Sequence, residues 1–273
     1  MRKCLALVAV FFVFVSILSL NAQKANPESD FKYKLEKFEI QEGFVSDTVD
    51  AVVITKYIGK ARNVIIPSSI EGFPVVKLGR EVFQDTNVVS VVIPDSVISI
   101  DSRNTILVLG CFKTCKFLQK VVLSKNITSI PNECFLGCRA LKTITLHEGI
   151  TEIEPGAFCE SGLESIDFPS SLRRIERYAF RDTNLKTIKL VGDEDKRIYV
   201  EEYAFSECKA LTSITLSNVY FSGPYVFKDC KSLRTFNIEE GVGVNPDYRR
   251  QIFPGVPQLP LATQKKLKDL YLL

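Results

Sequence analysis

A phenylalanine returns at a nearly fixed interval through most of this chain, at Phe83, Phe112, Phe135, Phe158, Phe180, Phe205, Phe227 and Phe253. The intervals are 29, 23, 23, 22, 25, 22 and 26 residues. A period near 23 marks a solenoid, a chain wound into stacked coils. The residue before each ring is small or aliphatic: Val82, Cys111, Cys134, Ala157, Ala179, Ala204, Val226 and Ile252. Five or six residues after the ring comes a run of the form L-x-x-I-x-L, as in LKTITL at 141–146, LESIDF at 163–168, LKTIKL at 185–190 and LTSITL at 211–216. A second short apolar pair follows, such as Val97/Ile100, Ile127/Ile130, Ile150/Ile153 and Leu172/Ile175.

The spacing dictates the packing. The last two apolar residues of the run are two apart, which is strand alternation. One coil cannot bury its own Leu, Ile and Phe, but stacking turns each repeated position into a buried column, with parallel strands pairing from coil to coil. The ring fills the wide part of the coil, and the small residue before it lets the backbone close around it. Pro94 and Pro169 end their strands, because proline has no N–H for the ladder.

The stretch IPNECFLGCRALKTITLHEGITEIEPGAFCESGLESIDFPSSLRRIERYAF resembles the BspA-like (Treponema pallidum type) leucine-rich repeat over two coils. The segment AVVITKYIGKARNVIIPSSIEGFPVVKLGREVF is similar to that family's usual first coil. The reading is a mainly β chain with short helical turns: a leucine-rich-repeat solenoid with parallel strands and about seven coils, spanning residues 51–260. Residues 102–110 and 192–197 carry about six and about three extra residues and should bulge as loops. The resemblance implies a secreted or cell-surface protein of a host-associated bacterium, with adhesion to host matrix proteins or other cells as its role.

The ends read differently. Residues 1–22 have the pattern of a secretory signal peptide: Arg2 and Lys3, an apolar run from Leu5 to Leu20 broken only by Ser16 and Ser19, then Asn21-Ala22 before a cleavage point at Gln23. The apolar run is about 16 residues, short of the roughly 20 that span a bilayer, so no membrane insertion is expected after cleavage. Cys4 precedes this run, whereas a lipoprotein cysteine follows it. Residues 23–50 read as a polar leader and a short antiparallel cap over the first coil. Residues 261–273 read as a helical cap, with Thr263 capping the first turn and Leu267, Leu270 and Tyr271 on one side.

Composition narrows the chemistry. Thirty-five basic and 32 acidic side chains give a net charge of +3. Without Arg2 and Lys3 the balance is 33 against 32, or +1, which gives no support for nucleic-acid binding. There is one histidine, His147, at a turn position that Pro94 and Pro169 hold in other coils, and no nucleophile motif or phosphate loop accompanies it. No cofactor is implied. Seven cysteines follow residue 22. Cys115, Cys138, Cys208 and Cys230 stand three residues after a ring, Cys111 and Cys134 just before one and Cys159 just after. Repeat positions of this kind read as small buried hydrophobes, although coils about 5 Å apart allow a Cys115–Cys138 or Cys111–Cys134 bridge. Asn126-Ile127-Thr128 fits an N-glycan acceptor.

Two functional readings follow. In the first, the x positions of the strands form a binding face for a protein or glycan: Lys142, Thr145, Asp167, Lys189, Thr215 and Asn237 are the leading candidates, in a set that is polar, mixed in charge and free of an apolar stripe. A tyrosine column two residues before the ring, Tyr178, Tyr203 and Tyr225, offers a contact strip or a packing ladder. The expected partner is a host matrix protein or a cell-surface glycoprotein. In the second reading a glycan hydrolase uses two carboxylates beside an inserted loop, with pairs such as Glu152/Glu154 and Glu201/Glu202 as candidates. A structural spacer without a partner is the third possibility.

Overall fold

The computed structural model describes residues 24–42, 45–101, 110–193, 195–256, 261–270 and 272. The segment 1–22, read above as a signal peptide, and most of the 102–110 insertion therefore lie outside the described residues.

The chain winds into a succession of short strands and turns that makes about eight turns of a solenoid. One side of each coil is the L-x-x-I-x-L strand. Parallel pairing joins Asn63–Ile65, Ser90–Val92 and Lys120–Val122 in one sheet, and Thr187–Val191, Ser213–Ser217 and Thr235–Ile238 in another. Between them the pairing narrows to a single bridge, Thr145 to Asp167. A second side comes from the short apolar pairs, which form a six-stranded parallel sheet from Ser129–Ile130 to Gly243–Val244. Turns carrying the rings make the third side.

The rings form one continuous stack. Centroids from Phe83 to Phe253 are 5.0–5.5 Å apart with planes within 13° of parallel. Backbone bonding holds this spacing. The N–H of each ring residue donates to the carbonyl of the residue before the next ring, as in Phe112 to Cys134, Phe135 to Ala157 and Phe158 to Ala179 at 2.8–2.9 Å. Tyr57 obeys the same rule: its N–H donates to the Val82 carbonyl at 2.8 Å, and its ring lies 5.3 Å from Phe83. The first coil thus has its ring as tyrosine, which an alignment on phenylalanine passes over, and this accounts for the turn beyond the seven read from sequence.

The ring side is not helical. Paired turns such as Glu81 to Gln84 and Phe83 to Thr86 succeed one another, but residues two before and two after the ring sit at positive φ. Glu133, Tyr178, Tyr203 and Tyr225 do so before it, and Asp85, Thr114, Glu160, Asp182, Glu207 and Asp229 after it. A left-handed residue at each side breaks any helix and turns the chain back into a strand.

The amino-terminal end is a long hairpin. Strand β1 (Phe31–Glu42) pairs antiparallel with β2 (Val45–Tyr57), and β2 pairs in parallel with Phe73–Leu78 through Val52–Ile54. Phe31 packs against Tyr57, with centroids 5.5 Å apart and planes tilted by 50°, and extends the ring column into the hairpin. At the other end, helix α1 (Leu261–Asp269) places Leu267 in the core, where Leu270 also packs. Thr263 lies within the helix as its third residue, so it does not cap it; Tyr271 lies outside the described residues. No helix among the described residues is long and apolar enough to cross a membrane.

Because each ring is sandwiched between two others, Phe158→Ala should cost about 3–5 kcal/mol. Urea unfolding of the variant against Thr145→Ala, an exposed control, measures this; a loss below about 1 kcal/mol would mean the column is not the core.

Candidate interaction surface

The strand-side candidates fall into two columns. Thr145 bridges to Asp167, and Lys189, Thr215 and Asn237 are successive register partners, with the Asn237 amide 3.4 Å from the Thr215 hydroxyl. Lys142 is not among them. It lies one column over, 3.1 Å from Glu164, whose other oxygen is 2.6 Å from Lys186. Hydrogen bonds from Lys186 and then Lys142 hold the Glu164 carboxyl below the usual carboxylate range. Glu164 thus bridges Lys142 and Lys186 at the surface of the sheet, and the three side chains keep one net positive charge. The face also continues beyond the residues read from sequence. Ile65, Val92 and Val122 are stacked register partners in the amino-terminal half, and Val122 is well exposed. The column that is polar in the carboxy-terminal half is therefore apolar in the amino-terminal half, beside the polar column Asn63, Ser90 and Lys120.

The tyrosine candidates are brought together. Tyr178 and Tyr203 stack at 5.1 Å with planes 12° apart, Tyr203 and Tyr225 lie 5.1 Å apart at 38°, and the Lys228 ammonium stands over the last two rings at 5.7 and 5.6 Å. All three occupy left-handed backbone, with φ of 58°, 55° and 62°, at a position that Gly156 fills in an earlier coil. Sequence spacing placed them in one column but could not reveal the sign of φ.

A second aromatic pair escaped the sequence reading. Tyr199 and Tyr220 meet edge to face at 5.7 Å on the short-strand sheet, in register with Arg174 before and Gly243 after. The missing side chain at Gly243 makes room for Tyr220, since a Cβ there would sit 3.3 Å from its ring. The signal was available: each tyrosine is the middle residue of an apolar-x-apolar triplet, Ile198–Val200 and Val219–Phe221.

Between the two tyrosine rows, in sequence and along the edge, stand Glu176 and Glu201. Burial, a hydrogen bond that the protonated Glu176 donates to Glu152, and the charge of Glu201 push the Glu176 carboxyl up to about 7, against the opposing pull of Arg174. Glu152 and Glu176 are in hydrogen-bond contact, closer than the roughly 5–9 Å that glycosidase carboxylates need for a sugar between them. Glu154 is committed to Ser129 and the Asn132 N–H. The 192–197 insertion is fastened to the coil wall, with Asp193 3.7 Å from Arg173 and the Gly192 N–H on the Ser217 carbonyl.

His147 closes its own turn: its Nδ1 accepts the Gly149 N–H at 3.0 Å. The Asn126 amide donates to the Asp95 carbonyl at 2.6 Å, so a glycan there would have to displace this bond. The seven cysteines from Cys111 to Cys230 are buried and unpaired. Burial pushes the Cys115 thiol up to about 11 and the Cys159 thiol up to about 12. Four of them do more than fill space. Cys115, Cys138, Cys208 and Cys230 each donate Sγ–H to the carbonyl of the ring residue one coil back, at 2.9–3.2 Å. Thr86 fills the same position with a hydroxyl bonded to the Phe83 carbonyl, so this is a hydrogen-bonding position and not merely a small one. No group of His, Cys, Asp and Glu among the described residues is arranged to hold a metal ion.

A family model described as the BspA type leucine rich repeat region matches residues 76–194, 105–234 and 192–248. The chain belongs to this family. Among solved structures, this BspA-type protein is similar to a leucine-rich repeat protein of T. pallidum, at 22% identity over 90% of this chain and 96% of that one, with a TM-score of 0.62. A leucine rich cell surface protein of Faecalibacterium prausnitzii matches at 18% identity over 82% of this chain and 84% of that one, with a TM-score of 0.41. None of the curated proteins matches it.

Two outcomes check this account. A carboxyl whose folded pKa is raised stabilises the fold least when ionised, so the contribution of Glu176 is intact below about pH 4.5 and lost as pH rises through 7. Glu176→Gln should therefore flatten the fall in melting temperature between pH 5 and 8 and raise it by roughly 1–3 °C at pH 8; an unchanged pH profile would contradict the shared proton. Thiol titration of the exported chain without reductant should count seven thiols when denatured and none when native, and a count of five would reveal a bridge.

Proposed function

We propose that this BspA-type protein is an exported recognition protein that holds a protein or glycan partner on the tyrosine-rich edge of its carboxy-terminal half. The signal-peptide pattern of residues 1–22 supports export, and membership of the BspA-type leucine-rich repeat family supports an interaction role. A host matrix protein or cell-surface glycoprotein is the partner class.

One observation carries the choice of edge. A left-handed conformation costs an L-residue roughly 1–2 kcal/mol, so three tyrosines at positive φ cost about 3–6 kcal/mol. Two stacked pairs return about 0.5–1.5 kcal/mol each beyond buried area. The same backbone position is served by Glu133 and Gly156 in earlier coils, so the turn itself does not call for an aromatic ring. Tyrosine there is best explained by what its flat face and hydroxyl offer to another molecule. Tyr178 and Tyr199 are among the exposed large apolar side chains of the chain. The column Thr145, Asp167, Lys189, Thr215 and Asn237 on the strand side is the second contact region, because its side chains point out from a flat sheet.

The test is retention of the exported chain on immobilised collagen, laminin, fibronectin and a glycan array. The triple variant Tyr178→Ser, Tyr203→Ser and Tyr225→Ser should lose at least about tenfold in affinity while its melting temperature stays within about 3 °C of the parent. Unchanged binding with lowered stability would make the ladder a packing device and move the footprint to the strand face. Retention on none of the surfaces would remove the support for adhesion.

A further inference from the structure

The amino-terminal end of the solenoid carries a strand edge longer than any other among the described residues. β1 is the outer strand of its sheet, paired with β2 along its length and with no other strand among the described residues. The terminal strands of the other sheets are short, two to five residues, such as Gly243–Val244, Asn63–Ile65 and Thr187–Val191. β1 is 12 residues long. Beyond Val52 the ribbon has no third strand, since Phe73–Leu78 covers β2 only at Val52–Ile54. A two-stranded ribbon is marginal alone, and an open edge of this length is a template for strand addition.

The charges on β1 say which strand it fits. Basic residues occupy positions 32, 34 and 37, and acidic residues occupy 36, 39 and 42. An edge guarded against pairing repels any copy of itself, whereas this one is sorted, basic toward its start and acidic toward its end. A parallel, in-register copy would set like charge on like. An antiparallel copy related by a two-fold axis sets each half against its opposite. With Phe38 on that axis, position 37 of one copy faces position 39 of the other and position 34 faces 42, which gives four cross-strand pairs of opposite sign over residues 34–42. Moving the axis to Lys37 would place that lysine against itself, and moving it to Glu36 would place that glutamate against itself. The present partners of these lysines, Asp50 for Lys37 and Glu36 for Lys34, are solvent-exposed pairs that can be shared.

We infer that the chain self-associates through β1, by antiparallel two-fold strand pairing centred on Phe38, so that the hairpin sheet runs continuously from one copy into the next. The interface is isologous and closes at two copies. Its backbone bonds supply the attachment and its sorted charges the direction and register. The two solenoids would then extend away from a shared hairpin sheet, and their carboxy-terminal halves would stay free.

Sedimentation equilibrium of the exported chain tests this. The parent should be a dimer at micromolar concentration, with the dissociation constant rising about tenfold or more between low and high salt. Lys34→Glu with Lys37→Glu should give a monomer, and Glu39→Lys with Glu42→Lys should do the same, each with unchanged circular dichroism. Mixing the two variants should restore the dimer, because every facing pair is again of opposite sign. A parent that stays monomeric at about 100 μM, variants that still dimerise, or a mixture that does not reassociate would each overturn the inference. A monomeric parent would leave the edge to a strand from a different protein.

Discussion

The hydrogen bond from each ring residue to the carbonyl just before the next ring is the interaction on which the rest of the molecule depends. It fixes the spacing between coils, and every column inherits that spacing: the phenylalanine stack, the isoleucines of both sheets and the donors that cap ring carbonyls. A column of aromatic rings at about 5 Å is stable only if the backbone holds it in register, and the backbone is held only because the small residue before the ring lets the strands approach. Neither the core nor the ladder stands without the other, which is the nearest-neighbour logic of solenoids.

The same register creates the surface. In most coils the residues two before and two after the ring turn left-handed as the chain leaves the ring side, and their side chains are lined up along an edge. Where that position holds glycine or glutamate the edge is small or polar, and where it holds tyrosine it becomes an aromatic strip reinforced by Lys228. The neighbouring short-strand sheet adds Tyr199 and Tyr220, with a carboxylate row between the two tyrosine rows. Aromatic rings and carboxylates are thus concentrated where the coil turns, and the strand face carries hydroxyls and charged side chains in its carboxy-terminal half and the Ile65, Val92 and Val122 column in its amino-terminal half.

The two ends of the stack meet the same difficulty, an exposed last layer, in different ways. The carboxy-terminal end lays α1 against the core through Leu267 and Leu270. The amino-terminal end continues the ring column into Tyr57 and Phe31 and then projects a hairpin with an open edge. Covering the apolar layer and satisfying the strand edge are separate requirements, and the hairpin meets only the first within one chain.

The sequence alone determined the period, the buried columns, the parallel solenoid and the family, because a coil that closes on itself every 23 residues or so must put each repeated residue type in one place. The phenylalanines, the small residues before them and the L-x-x-I-x-L runs all lie where spacing puts them. It also assembled Tyr178, Tyr203 and Tyr225. Tertiary structure decided what spacing does not encode. The sign of φ at those tyrosines follows from how the ring side turns back into a strand. Tyr57 is seen as a ring member only through its bond to Val82. Lys142 is paired with Glu164, one coil on, which it shares with Lys186. The thiols of Cys115 and Cys138 become donors only because a ring carbonyl faces them from the coil before. A repeat specifies which residues share a column; contact between coils decides what each of them is doing there.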